Sequence, residues 1–239
     1  MGKVGSVTIK KSLRKAGFVA EHIHYIDEEN VNNINSVLSK SGATQDKAFL
    51  NFTFDVRENL PLWLASGIKI IMGVRDPVSR ALSGMFQNYE LLHQEKPTDD
   101  LDNYISELNQ LKTYNSTLEW FDREPKRVIG FDVYGSEFNT KLGYQVYQCG
   151  LSRILVYRLG LSDQVLQALL TEFSGTEVTL KSGNVARDKD YSEIYSELKK
   201  KLSINQGLLS EIYQSKYSTH FWNEEENASF VHRWNTSKE

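Results

Sequence analysis

The run "KIIMGV" at Lys69–Val74, followed without a spacer by "RDPVSRALSGMFQNYELL", constrains the fold more than any other part of the chain. A short, continuous apolar run suits a strand buried on both faces, as in a parallel sheet covered by crossover helices. Asp76 then stands where an N-cap is needed, with Pro77 at the first helical position. Val78, Ala81, Leu82, Met85, Phe86 and Tyr89 form one apolar stripe at helical spacing, so the segment predicts an amphipathic helix. A strand feeding a capped helix is half of a β-α-β unit and points to the α/β class.

The flanking segments extend that rhythm. "FVAEHIHYI" from Phe18 to Ile26 predicts a strand, "EENVNNINSVLSKSG" a helix with Val31, Ile34 and Leu38 on one face, and "KAFLNFTF" another strand. "ENLPLWLASG" predicts a helix that stops at Gly67. Beyond residue 95 the polar stretch through residue 127 predicts a helical insertion or lid. "SRILVYRL" restores a buried strand, "SDQVLQALLTEF" a helix, and stripes at Ile194, Tyr195 and Leu198, then Leu208, Leu209, Ile212 and Tyr213, predict terminal helices. The expectation is a single α/β domain over residues 1–239, with a mostly parallel sheet, helices around it, and the C-terminal aromatics Phe221, Trp222, Phe230 and Trp234 in its core.

Bulk properties narrow the function classes. With 239 residues, 40% of them hydrophobic and 11% aromatic, the chain can bury a core. A net charge of −3 and a sequence pI near 6.0 argue against a dedicated nucleic-acid binder, which carries a basic field. The single cysteine, Cys149, rules out an internal disulfide framework and reads as a small buried hydrophobe. No Cys/His cluster has zinc spacing, so a reducing cytoplasm is the expected compartment. No apolar run reaches the roughly 20 residues that span a bilayer, and no secretory leader pattern opens the sequence.

Two stretches carry anion chemistry. In "MGKVGSVTIKKSLRKAG", Gly2 and Gly5 allow close backbone approach, Lys3 brings a point charge, and Ser6 and Thr8 stand in the first turn of a helix, whose free N–H groups attract anions. The lysine precedes the second glycine, so the Walker order G-x-x-x-x-G-K-[ST] is absent. In "VRDPVSRALS", Arg75 ends the buried strand, and Asp76, Ser79, Arg80 and Ser83 share the face opposite the apolar stripe.

In this order and separation, "GKVGSVT" and "RDPVSRALS" resemble the two donor-binding motifs of the sulfotransferase family, which uses 3′-phosphoadenosine 5′-phosphosulfate (PAPS). "HIHYID", "EWFDREPKRVIGFDVYG", "ILVYRL", "NVARDKDYSEIY" and "SKYSTHFWNEEE" carry the similarity over nearly the whole chain, to the bacterial subfamily of capsular polysaccharide synthesis proteins. The resemblance implies a P-loop-like three-layer fold and transfer of a sulfuryl group from PAPS to a hydroxyl of a surface or capsular glycan or its precursor, with no metal. It implies that Lys3, Gly5, Ser6, Val7 and Thr8 cradle the 5′-phosphosulfate, Val7 through its N–H alone, and that Arg75 and Ser83 hold the 3′-phosphate. Lys3 would also stabilise charge on the departing bridging oxygen. The family carries a central strand directly before the first loop, and this sequence starts at the loop, so the first strand is expected to be missing.

A proton acceptor is less clear. In many members a histidine or carboxylate ends the strand before the "KII" run, and that position falls on Thr53, a poor base. Asp55, two residues on and beside Arg57, is one candidate; His24, which shares a face with His22, is the other. Two further functions keep the same motifs: a nucleotide-dependent kinase or phosphotransferase, and a non-catalytic glycan-assembly protein. In each case the partner is a glycan or small hydroxyl compound rather than nucleic acid. A late loop with Lys181, Asn184 and Lys189 stands where some sulfotransferases close over the nucleotide, and turn chemistry explains it equally well.

Overall fold

The computed structural model describes residues 2, 4–41, 46–93, 100–181 and 192–235. Helices α1 (Ser6–Lys15), α2 (Glu28–Ser41) and α3 (Asp46–Ser66) precede β1 (Lys69–Val74) and α4 (Pro77–His93). Asp76 caps α4 as its position requires: Oδ2 accepts from the Ser79 amide at 3.0 Å and the Ser79 hydroxyl at 2.5 Å. Next come α5 (Leu101–Leu108), α6 (Lys112–Leu118), a π-helical turn (Asp122–Lys126) and the short α7 (Arg127–Ile129). A hairpin of β2 (Tyr144–Cys149) and β3 (Ser152–Arg158) leads to α8 (Asp163–Ser174). Four helices follow, α9 (Ser192–Lys201), α10 (Gln206–Gln214), α11 (Lys216–Phe221) and α12 (Glu224–Asn235).

The described sheet has three strands in the order β1-β3-β2. β1 runs parallel to β3 from Lys69↔Arg153 to Val74↔Arg158, and β2 runs antiparallel to β3 from Tyr144↔Tyr157 to Cys149↔Ser152. In place of the expected mostly parallel sheet, the described residues form a small mixed one. The overlooked strand, "YQVYQC", is joined to β3 by the two-residue loop Gly150–Leu151, the ordinary length of a tight hairpin.

Two expected strands are not strands. Residues 18–26 form an irregular strap between α1 and α2 whose main-chain groups bond to side chains instead of a ladder. Arg14 Nε donates to the Ala20 carbonyl at 2.8 Å, Trp120 Nε1 to the His24 carbonyl at 3.0 Å, and Glu124 accepts from the amides of Ile26 at 2.5 Å and Asp27 at 2.8 Å. Residues 47–54 lie inside α3. Thr53, Val56 and Leu60 are buried at spacings of three and four, so the apolar period that runs past Phe54 selects a helix.

The sheet is covered on both faces, as a three-layer arrangement requires. Ile154 and Val156 of β3 pack with Phe121, Phe131, Tyr217 and Phe221, while Leu155 and Tyr157 pack with Ile9, Leu170 and Phe173 from α1 and α8. A helical cluster joins Leu82 and Phe86 of α4 to Tyr104, Leu108 and Tyr114 of α5 and α6 and to Leu198, Leu209 and Ile212 of the terminal helices. The stretch expected as an insertion or lid is helical where described, and it forms a wall of this core. Phe221, Trp222 and Trp234 are buried as expected, whereas Cys149 is only half-buried. No helix of the described residues is long and apolar enough to cross a membrane.

Candidate functional site

The two stretches expected to bind anions meet at the carboxyl end of β1. Val4 lies on Gly73: a Cβ built there would stand 2.6 Å from the Val4 Cβ and 2.9 Å from the Tyr157 hydroxyl, so only glycine admits this approach. The Tyr157 hydroxyl donates to the Val4 carbonyl and ties the first loop to β3. Gly5 then turns into α1 at φ 81°, a left-handed conformation that favours glycine, and no side chain caps the helix. The amides of Ser6, Val7 and Thr8 thus lack intrahelical acceptors and face the loop. Ser6 and Thr8 are half-buried and Val7 is exposed.

Arg75 follows the last residue of β1, so the second motif opens at the same end, where open α/β sheets bind ligands. Its turn is fixed from the far end of the chain. Tyr217 accepts from the Arg75 amide at 3.2 Å and donates to the Arg75 carbonyl at 2.9 Å. The buried Asp76 accepts through Oδ1 from the Tyr213 hydroxyl and through Oδ2 from Trp234 Nε1 at 3.2 Å. Burial first, and then the Asp76 charge, push the Tyr213 phenol well above its ordinary pKa, so it remains a donor. Ser83 Oγ stands 3.3 Å from the Tyr195 hydroxyl of α9. Arg80 Nη1 donates to Ser116 Oγ at 2.7 Å.

A cavity of about 910 Å³ runs along the edge of β1 that faces away from β3, between α1, the 18–26 strap and α3. Its walls are mostly apolar, with Ser6, His22, His24 and Glu124 among the polar groups, the usual composition of a ligand pocket. The His22 and His24 rings meet edge-on with centroids 4.8 Å apart, as their shared face in the sequence suggested. Burial, and secondarily the charge of Lys10, lower the His22 pKa. A Cβ built on Gly2 would lie 3.5 Å from His24 Cε1, so His24 abuts the first loop.

The expected site residues divide accordingly. Gly5, the start of α1 at Ser6 to Thr8, and Arg75 lie at one end of β1 with His24 against Gly2, and Ser83 stands two turns into α4 beside Tyr195, whereas Lys3 lies outside the described residues, as do Asn184 and Lys189. Asp55 is exposed on α3; its neighbours Phe52 and Val56 turn to the cavity and Asp55 does not line it. The premise that Asp55 follows a strand fails with that strand. Thr53 is buried in α3, Arg57 pairs with Glu28 at 3.1 Å, and the exposed Lys181 donates through its amide to Ser12 Oγ at 2.9 Å. Tyr195, Tyr213 and Tyr217 join the site without any local signal, because their partners lie more than 100 residues away. Among the described residues no group of three or more His, Cys, Asp or Glu side chains could hold a metal ion.

Comparison with known proteins gives one match. A family model described as "Putative capsular polysaccharide synthesis protein" (NKWYS) matches residues 98–223, more than half of the 239. That span contains Tyr195, Tyr213 and Tyr217 but neither of the stretches at residues 1–17 and 74–83. No curated protein and no solved structure matches the chain.

Proposed function

This chain belongs to the capsular polysaccharide synthesis family designated NKWYS, and from that premise we propose that it transfers a sulfuryl group from PAPS to a hydroxyl of a surface or capsular glycan or its precursor. One observation carries the reading: the uncapped start of α1 and the Arg75 turn converge at the carboxyl end of β1, with His24 against the first of them. The donor fits those residues because the N–H groups at the start of α1 suit an anion and Arg75 with Ser83 suits a second one. When bound, PAPS would supply the electrophilic sulfuryl group and a nucleotide leaving group.

The chain's own part is binding, orientation and proton transfer. The amides of Ser6 to Thr8 and the charge of Lys3 hold the 5′ anion, and Arg75 and Ser83 hold the 3′-phosphate. His24 accepts the acceptor's hydroxyl proton at a ring nitrogen; its contact with Gly2 puts the imidazole beside the donor loop. Asp55 takes no part. The acceptor enters from the cavity beside β1, and the reaction belongs to the cytoplasm.

Incubation with ³⁵S-labelled PAPS and a panel of capsular oligosaccharides tests this reading. Label should move to a saccharide, His24→Asn should slow transfer by about 10²-fold or more, and Asp55→Asn should match the unmodified chain. Absence of transfer together with absence of PAPS consumption would sink it.

A further inference from the structure

We propose that the cavity along β1 holds the hydrocarbon chain of an amphiphilic acceptor, whose hydroxyl-bearing head stands at the His24 end. The proposal rests on the transfer reading above and names the class of its acceptor. Every residue from Ile68 to Gly73 borders the cavity on one side, and α1 runs along another. Six strand residues and ten helical ones each span about 15–20 Å, so the space is an elongated channel. Its two ends differ. α1 begins beside the carboxyl end of β1, and the Ser6 hydroxyl and the imidazoles of His22 and His24 gather there. The Gly73 main chain, turned away from β3, adds an N–H and a C=O at the same end.

Along the rest of the channel the polar side chains are already engaged. Lys10 pairs with Glu21 at 2.5 Å, Glu124 accepts from Asn30 Nδ2 at 2.6 Å as well as from the Ile26 and Asp27 amides, and Lys69 Nζ donates to the Ser174 carbonyl at 2.6 Å. The wall between them is apolar, with Ile9 and Leu13 of α1, Val56 and Leu60 of α3, and Ile70 and Met72 of β1. A sugar in that stretch exchanges water for side chains that offer its hydroxyls nothing, and each hydroxyl buried without a partner costs free energy. A hydrocarbon chain gains there by leaving water. The far end is open. Val19, just past the end of α1, and Trp63, in the last turn of α3, both line the channel, yet Val19 is fully exposed and Trp63 partly so. Apolar side chains that rim an opening in water mark where an apolar ligand passes.

The test uses the full chain and n-alkyl β-glucosides with butyl, hexyl, octyl and dodecyl chains, titrated by calorimetry below their micelle concentrations. From butyl to octyl, each added CH₂ should tighten binding about two- to fourfold. Trp63→Ser and Phe18→Ser, two part-exposed wall positions, should each weaken octyl glucoside about tenfold and leave butyl glucoside and 3′-phosphoadenosine 5′-phosphate within about threefold. With ³⁵S-labelled PAPS, the octyl glucoside should take label faster than the butyl one at equal concentration. A chain-length trend in binding without label transfer leaves this inference standing and sinks the transfer reading. Label moving equally to chain-bearing and chain-free saccharides, with no trend in binding, leaves the transfer reading standing and overturns this inference. A trend that both substitutions leave unchanged puts the chain elsewhere and also overturns it.

Discussion

The Tyr217 hydroxyl closes a two-point bridge on Arg75, accepting from its amide at 3.2 Å and donating to its carbonyl at 2.9 Å. The bridge crosses 142 residues of sequence and fixes the peptide groups on both sides of the arginine that follows β1. An arginine whose main chain is clamped this way aims its guanidinium from a fixed base. Tyr217→Phe leaves a part-buried N–H and C=O without that partner and is expected to cost about 1–2 kcal/mol, read from the urea midpoint. Tyr134→Phe is the contrasting case: its hydroxyl is buried without a partner among the described residues, and its removal should change stability by less than about 0.5 kcal/mol or raise it.

Asp76 gathers the N-terminus of α4, Tyr213 of α10 and Trp234 of α12 on one buried carboxylate. Asp76→Ala removes a helix cap and strands two buried donors, a loss of about 2–4 kcal/mol. Asp76→Asn retains a cap and should lose about half as much. Urea unfolding at constant m-value reads both.

Acidification should weaken the fold through two histidines. Burial is the leading cause that lowers the pKa of both His22 and His220 from the ordinary 6.5. The unfolded chain therefore binds more protons than the folded one at pH values below about 6.5, and stability rises with pH across that window. The melting temperature is expected to fall as pH drops from 7 to 5.5, and His22→Gln combined with His220→Gln should flatten that dependence. Equal slopes for the two chains would show that the titrating groups lie elsewhere.

Hydrogen exchange should read the edge of β1 that no strand among the described residues pairs. Ile68 and Val74 carbonyls accept from Arg153 at 3.0 Å and Leu159 at 2.7 Å, so even-numbered residues of the strand face β3 and odd-numbered ones face the cavity. The amides of Ile71 and Gly73 should exchange at least about tenfold faster than those of Ile70 and Met72.

Local grammar made much of this structure legible. Asp76 and Pro77 announced α4, the six-residue apolar run announced β1, and the glycine, serine and threonine of the opening stretch announced the uncapped start of α1. The strap misled because alternation at His22 and His24 set which face they share but cannot supply a neighbouring strand. The segment around Thr53 misled because eight residues of it fit a strand while the buried stripe continues to Leu60. At the candidate site, the placement of Arg75 directly after β1 was readable from the motif. Tyr195, Tyr213 and Tyr217 were not, since only tertiary packing brings the terminal helices onto the Arg75 turn.

The most direct test of the central claim, a PAPS-type site at the carboxyl end of β1, is calorimetric titration with 3′-phosphoadenosine 5′-phosphate, with magnesium–ATP as control and Arg75→Ala alongside. Saturable binding that Arg75→Ala abolishes, with no response to magnesium–ATP, is the predicted result. A folded chain that ignores 3′-phosphoadenosine 5′-phosphate, or binds it equally well without Arg75, would contradict the account.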